Sequence, residues 1–122
     1  MSTRCNVIIK DGKDKLIFYR HSDGYPEGVK ATLDQFVDYM KTGKIRDNIG
    51  QAAGWLILIG HEEYAENNYG GLDWKVGAYE PTTSIHGDIE HLYVIDLPTK
   101  SWKEVDITAK TVCGFKNWSV AA

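Results

Sequence analysis

Two short runs near the N-terminus, Cys5-Asn6-Val7-Ile8-Ile9-Lys10 and Lys15-Leu16-Ile17-Phe18-Tyr19-Arg20, are dense in β-branched and aromatic residues. Only Asp11-Gly12-Lys13-Asp14 separates them, a turn-forming tetrapeptide. Apolar runs of this length around such a turn predict a β-hairpin. The second strand runs into residues 19–28, where Gly24, Pro26 and Gly28 predict a loop.

Two helices are expected next. Thr32 is placed to cap the first, with Gln35 as its capping-box partner. Leu33, Phe36, Val37 and Met40 share one face, and Gly43 is a suitable stop. The second helix is expected from Asp47 or Asn48 through Ile49, Ala52, Ala53, Leu56 and Ile59 toward Tyr64. Trp55, Ile57 and Leu58 make it apolar nearly all round, as in a helix that is central or lies at a subunit interface. Gly50 and Gly54 each cost about 1 kcal/mol against Ala, which suggests close backbone approach to the sheet or to the first helix. A loop is expected at 67–71, with strands at 73–79, 88–97 and 102–107. The last two would form a hairpin through Pro98-Thr99-Lys100-Ser101. Val112, Phe115 and Trp118 suggest that the tail packs on the body. The expected fold is a single α+β domain over 1–122, ordered β-β-α-α-β-β-β. It has a mainly antiparallel five-stranded sheet with both helices on one face. The other sheet face is expected to be solvated or covered by another subunit.

Composition narrows the function classes. A net charge of −3 argues against a generic basic surface for duplex nucleic acid. At 122 residues the chain can bury roughly two thirds of its unfolded surface, so folding requires no disulfide or metal. Cys5 and Cys113 form no CxxC pair, and the first residues lack the apolar core of a signal peptide. A cytoplasmic protein with reduced thiols is therefore expected. The longest apolar run, at 55–59, is too short to span a membrane.

Two segments carry candidate chemistry. In residues 19–28, Arg20 offers a planar cationic fork for phosphate or carboxylate. His21 can shuttle a proton, and Tyr19 and Tyr25 offer aromatic faces. Asp23-Gly24 supplies the turn. The plain alternative is a structural loop in which Arg20 pairs with a carboxylate such as Glu27. The adjacent His21, Ser22 and Asp23 do not make a catalytic triad, which is assembled from distant segments. In residues 85–91, a strand beginning at His86 would put His86, Asp88 and Glu90 on one face, a set able to hold a divalent metal. The plain alternative there is a polar strand face with a bulge at Gly87. His61-Glu62-Glu63 resembles half of a zinc motif, but Ala65 stands where the second histidine belongs, so a solvated helix end is expected.

Tyr19-Arg20-His21 with Asp23-Gly24-Tyr25-Pro26, and Ile85-His86-Gly87-Asp88-Ile89-Glu90 with Leu92-Tyr93, resemble a pair of motifs found in a group of small uncharacterised proteins of phages, prophages and bacterial mobile elements. The resemblance spans residues 4–96. It implies an accessory role in a phage setting, counter-defence included, and brings no catalytic assignment with it. The combined expectation is a non-enzymatic binding protein that sequesters a small anionic, nucleotide-derived ligand or a host protein. Tyr19, Arg20, His21, Asp23, Tyr25, His86 and Asp88 are its candidate contacts, and no cofactor is expected. The alternatives are a phosphodiester hydrolase with metal on His86, Asp88 and Glu90, and a structural homo-oligomer built on the second helix.

Overall fold

The computed structural model describes residues 3–21, 23–66, 78–105 and 107, and for 64–66 the backbone alone. The elements in order are β1 (Cys5–Asp11), β2 (Asp14–Arg20), α1 (Pro26–Lys41), α2 (Ile49–Glu66), β3 (Glu80–Thr82), β4 (His91–Asp96) and β5 (Ser101–Val105). β1 and β2 form the expected hairpin, with Gly12 at φ +61 in its turn.

The sheet order is β3-β2-β1-β4-β5. It is mixed rather than mainly antiparallel, because β4 lies parallel to β1 at its centre. The reason is the path after β3. That strand is antiparallel to β2, so β3 and β4 point the same way, on opposite sides of the first hairpin. The chain must therefore cross three inter-strand spacings, roughly 14 Å, and run back along the strands between residues 82 and 91. It does so over the sheet face that the helices leave open. Ile85 and Ile89 from this crossing, together with Val105 and Ile107, pack on Ile8, Ile17 and Leu92. The chain itself thus supplies cover that sequence reasoning left to solvent or to another subunit.

Both helices pack on the opposite face. Val29, Leu33, Phe36 and Met40 of α1 and Ala52, Leu56 and Ile59 of α2 share one core with Cys5, Val7, Ile9, Phe18, Tyr93 and Ile95. Helix α1 begins at Pro26, not at Thr32. Proline at the first helical position is preorganised and loses no needed N–H, so a residue that reads as a loop signal opens the helix instead. Thr32 lies inside, where its hydroxyl donates to Val29 O and meets the Tyr79 hydroxyl at 2.8 Å. Gly43, at φ +82, follows the helix end. Asn48 caps α2, its Oδ1 accepting the Gln51 N–H at 3.1 Å.

The close helix approach is made by Gly60. A Cβ there would fall 2.7 Å from Tyr79 Cδ2 and 3.2 Å from the Ala78 Cβ. Gly50 and Gly54 are the positions expected from the sequence, but among described atoms a Cβ on Gly54 would meet nothing within 4 Å and one on Gly50 only Asn48 Oδ1 at 3.2 Å, so neither approaches the sheet or α1. β4 starts at His91 rather than 88, because residues 86–90 belong to the crossing. β5 stops at Val105. The expected loop at 67–71, most of the strand at 73–79, and the tail at 111–118 lie outside the described residues. No helix among the described residues is long and apolar enough to cross a membrane.

Candidate functional site

Strand parity splits the first motif. Asn6, Tyr19, Glu80 and Leu92 lie in one row across β1, β2, β3 and β4, facing the crossing segment. Arg20 shares its row with Cys5 and His91 and faces the helices. The two-residue period thus sends neighbours in the motif to opposite sides of the sheet.

On the crossing side, Tyr19 is the centre of a polar cluster. Buried Asn6 fixes the geometry: its Nδ2 donates to Phe18 O at 2.9 Å, and its Oδ1 accepts the His86 N–H at 2.8 Å. The Glu90 N–H donates to Arg4 O at 2.9 Å and ties down the end of the crossing. His86 is thereby stacked on Tyr19, with centroids 3.8 Å apart and planes at 18°. The Tyr19 hydroxyl donates to the Asp88 carboxylate, at 3.0 Å from Oδ2 and 3.2 Å from Oδ1. Arg4 Nε lies 3.5 Å from the same carboxylate. The His21 ring meets Tyr19 edge-on at 4.5 Å, and its Nε2 is 3.1 Å from Glu80 Oε1. Burial, then the Asp88 hydrogen bond and charge, hold the Tyr19 phenol above its ordinary value. His86 Nδ1 is buried and makes no hydrogen bond with the described residues.

The two motif segments therefore meet, through Tyr19. Arg4, His21 and Asp88 keep much of their side chains in solvent, whereas Tyr19 is only 3 % exposed. With one ring face on His86 and His21 at its edge, Tyr19 is a support for the cluster rather than an open stacking platform.

On the helix side, fully buried Arg20 forms a two-pronged pair with Glu63 of α2. Nη1 lies 3.1 Å from Oε1 and Nη2 2.5 Å from Oε2. Its guanidinium lies 5.1 Å from the Tyr79 ring centroid. Burial pushes the Cys5 thiol and the Tyr79 phenol each up to about 12, with Arg20 pulling the other way in both. Asp23, at φ 57, and Gly24 lead into α1. The Gly24 N–H donates to Thr3 O, and the Gly24 carbonyl accepts the Tyr93 hydroxyl at 2.7 Å. Tyr25 precedes Pro26 as the helix cap residue and is 39 % exposed. Tyr19 and His21 thus join His86 and Asp88, Arg20 braces the core, and Asp23 and Tyr25 shape the helix start.

The shared strand face proposed for His86, Asp88 and Glu90 is absent, because the three precede β4. Among the described residues no three His, Cys, Asp or Glu side chains are grouped to hold a metal ion. Sequence reasoning passed over Arg4, Asn6 and Glu80, and it placed Glu63 at a solvated helix end, whereas Glu63 turns inward to pair with buried Arg20. One signal for Glu63 was legible: it continues the inward stripe Leu56-Ile59-Glu63 at i, i+3, i+7. Glu80 and Arg4 had none, since only the crossing and the β2–β3 pairing bring them in.

Fold and cluster together define a small α+β protein with a Tyr-His-Asp-Arg surface cluster where a crossing segment meets the sheet. Compared with family models, curated proteins and solved structures, the chain matches none.

Proposed function

We propose that the chain is a binding protein whose recognition face is the cluster of Arg4, Tyr19, His21, His86 and Asp88. One observation carries this reading: Tyr19 joins the two distinctive motifs through its stack on His86 and its hydrogen bond to Asp88. In the sharp form the ligand is a small anion, nucleotide-derived, held for sequestration rather than reaction. Arg20 is committed to Glu63, so Arg4 is the cation that takes the phosphate charge, with the His21 ring beside it as a hydrogen-bonding group. Their present partners, Asp88 and Glu80, are at least partly exposed. Exposed pairs are worth about 0–1 kcal/mol, so Arg4 and His21 turn to a multiply charged phosphate at small cost while Asp88 keeps its hydrogen bond to Tyr19. An accessory role in phage or prophage biology, counter-defence included, acting in the host cytoplasm, is the setting this proposal adopts from the motif resemblance.

Calorimetry and native mass spectrometry against cyclic and linear nucleotides and inorganic phosphate test it. Arg4→Ala is expected to weaken binding at least about tenfold, as for loss of a charge-assisted hydrogen bond. Absence of binding across the panel, or binding indifferent to both Arg4→Ala and His21→Ala, removes the small-anion form. In that event, a host protein retained by the parent chain and lost with Arg4→Ala would support the protein-masking form on the same face.

A further inference from the structure

The outer face of α2 has a composition that the described fold leaves unused. Gly50, Gly54, Ile57, Leu58 and His61 follow one another along it at helical spacing, and all are exposed. Ile57 is 36 % and Leu58 45 % exposed. Among the described atoms, a Cβ on Gly54 would meet nothing within 4 Å, and one on Gly50 only Asn48 Oδ1 at 3.2 Å. Gly54 therefore brings no close packing to the described fold, and Gly50 makes room only for the capping side chain of Asn48. The face is a shallow groove at Gly50 and Gly54, directly beside two apolar knobs at Ile57 and Leu58.

We infer that this face is the interface of a homodimer in which α2 packs antiparallel on α2 of a second copy. A two-fold axis passing near residues 55–56 makes the surface self-complementary. At about 1.5 Å rise per residue, Ile57 and Leu58 lie roughly 2–4 Å to one side of that axis and Gly54 roughly 2 Å to the other. Each helix thus lays its knobs over the groove of its partner, the isologous contact of a closed dimer. Charge selects this occupant and this direction. The approach to α2 exposes Lys44, Arg46 and Asp47, a net positive end, while the far end exposes Glu62, with Glu63 committed to Arg20. Antiparallel packing sets Glu62, roughly 10 Å from the axis along its helix, toward the segment with Lys44 and Arg46 that leads into the other copy's α2. Parallel packing would set like ends together. This goes beyond the ligand reading and rests on a different element.

Sedimentation velocity and light scattering of the full chain from micromolar to millimolar concentration test it. A concentration-dependent dimer is expected. Ile57→Glu combined with Leu58→Glu, both at exposed positions, is expected to raise the dimer Kd at least about a hundredfold with an unchanged circular dichroism spectrum. Gly54→Leu fills the groove and is expected to weaken the dimer as well. Arg46→Glu and Glu62→Arg are each expected to weaken it, and together to restore it. A monomer at every concentration overturns the inference and leaves the face to a different partner. A dimer indifferent to the Ile57 and Leu58 changes overturns it too, and failure of the charge exchange to restore association overturns the antiparallel arrangement.

Discussion

Replacing Glu63 by Gln removes the charge that holds Arg20 inside the molecule. Arg20 is fully buried and Glu63 retains 16 % side-chain exposure, so water screens the pair little. With charge centres about 4 Å apart and an effective dielectric near 20, the attraction is about 4 kcal/mol. Loss of that carboxylate also removes compensating charge from a buried guanidinium, and breaking buried pairs in this way costs about 3–5 kcal/mol. The Tyr79 ring beneath Arg20 contributes in both proteins and so leaves the difference unchanged. Glutamine also keeps one oxygen acceptor. The expected net loss is therefore about 3 kcal/mol, which for a chain of this length lowers Tm by roughly 10–15 °C. Urea unfolding followed by tryptophan fluorescence and circular dichroism measures it. Arg20→Met with Glu63→Leu is expected to recover most of the loss, because an apolar pair needs no compensating charge. A Glu63→Gln protein within about 1 kcal/mol of the parent would refute the claim that this pair clamps α2 to β2.

Asn6→Ala removes both side-chain hydrogen bonds that link β1 to Phe18 and His86, and is expected to cost about 2–3 kcal/mol. Amide exchange across residues 83–90 should quicken with it; unchanged protection there would count against Asn6 as the anchor of the crossing. Asp88→Asn should move the Tyr19 phenol titration, followed by ultraviolet absorbance, down toward the ordinary tyrosine value without reaching it, since burial is the larger cause. Cys5 and Tyr79 both have folded values raised to about 12, from 9.0 and 10.0. Their contribution is complete below the unfolded values and is lost as pH rises toward 12, so the urea midpoint should hold to about pH 8.5 and fall beyond it; a level midpoint to pH 11 contradicts this. Gly60→Ala should destabilise by about 1–2 kcal/mol, because overpacking against Tyr79 and Ala78 exceeds the helix-propensity gain. A raised Tm would show that α2 stands farther from residues 78–79.

Several features follow from local physics and were legible along the chain. The hairpin follows from its β-branched runs and glycine turn. The inward stripes of α1 and α2 follow from periodicity. Pro26 misled because the same residue that interrupts a helix interior is favoured at its first position. The site was legible only in part. Tyr19, His21, His86 and Asp88 stood out by residue type, but parity alone could already separate Arg20 from Tyr19, given β2 as a strand. The metal reading of His86, Asp88 and Glu90 depended on a strand start that the crossing displaces by several residues.

The sequence by itself determined the first hairpin, the two helices and which of their faces are apolar, because those depend on neighbours two to four residues away, whereas β3 at Glu80–Thr82 carried no such local signal. Only the tertiary structure decided that β4 lies parallel to β1 and that the chain covers its own second sheet face. That choice rests on pairings between residues eighty or more positions apart, such as Cys5 with His91 and Asn6 with His86, which no local pattern encodes. The same long-range closure turns two separate motifs into one cluster around Tyr19 and commits Arg20 to Glu63 on the other side of the sheet.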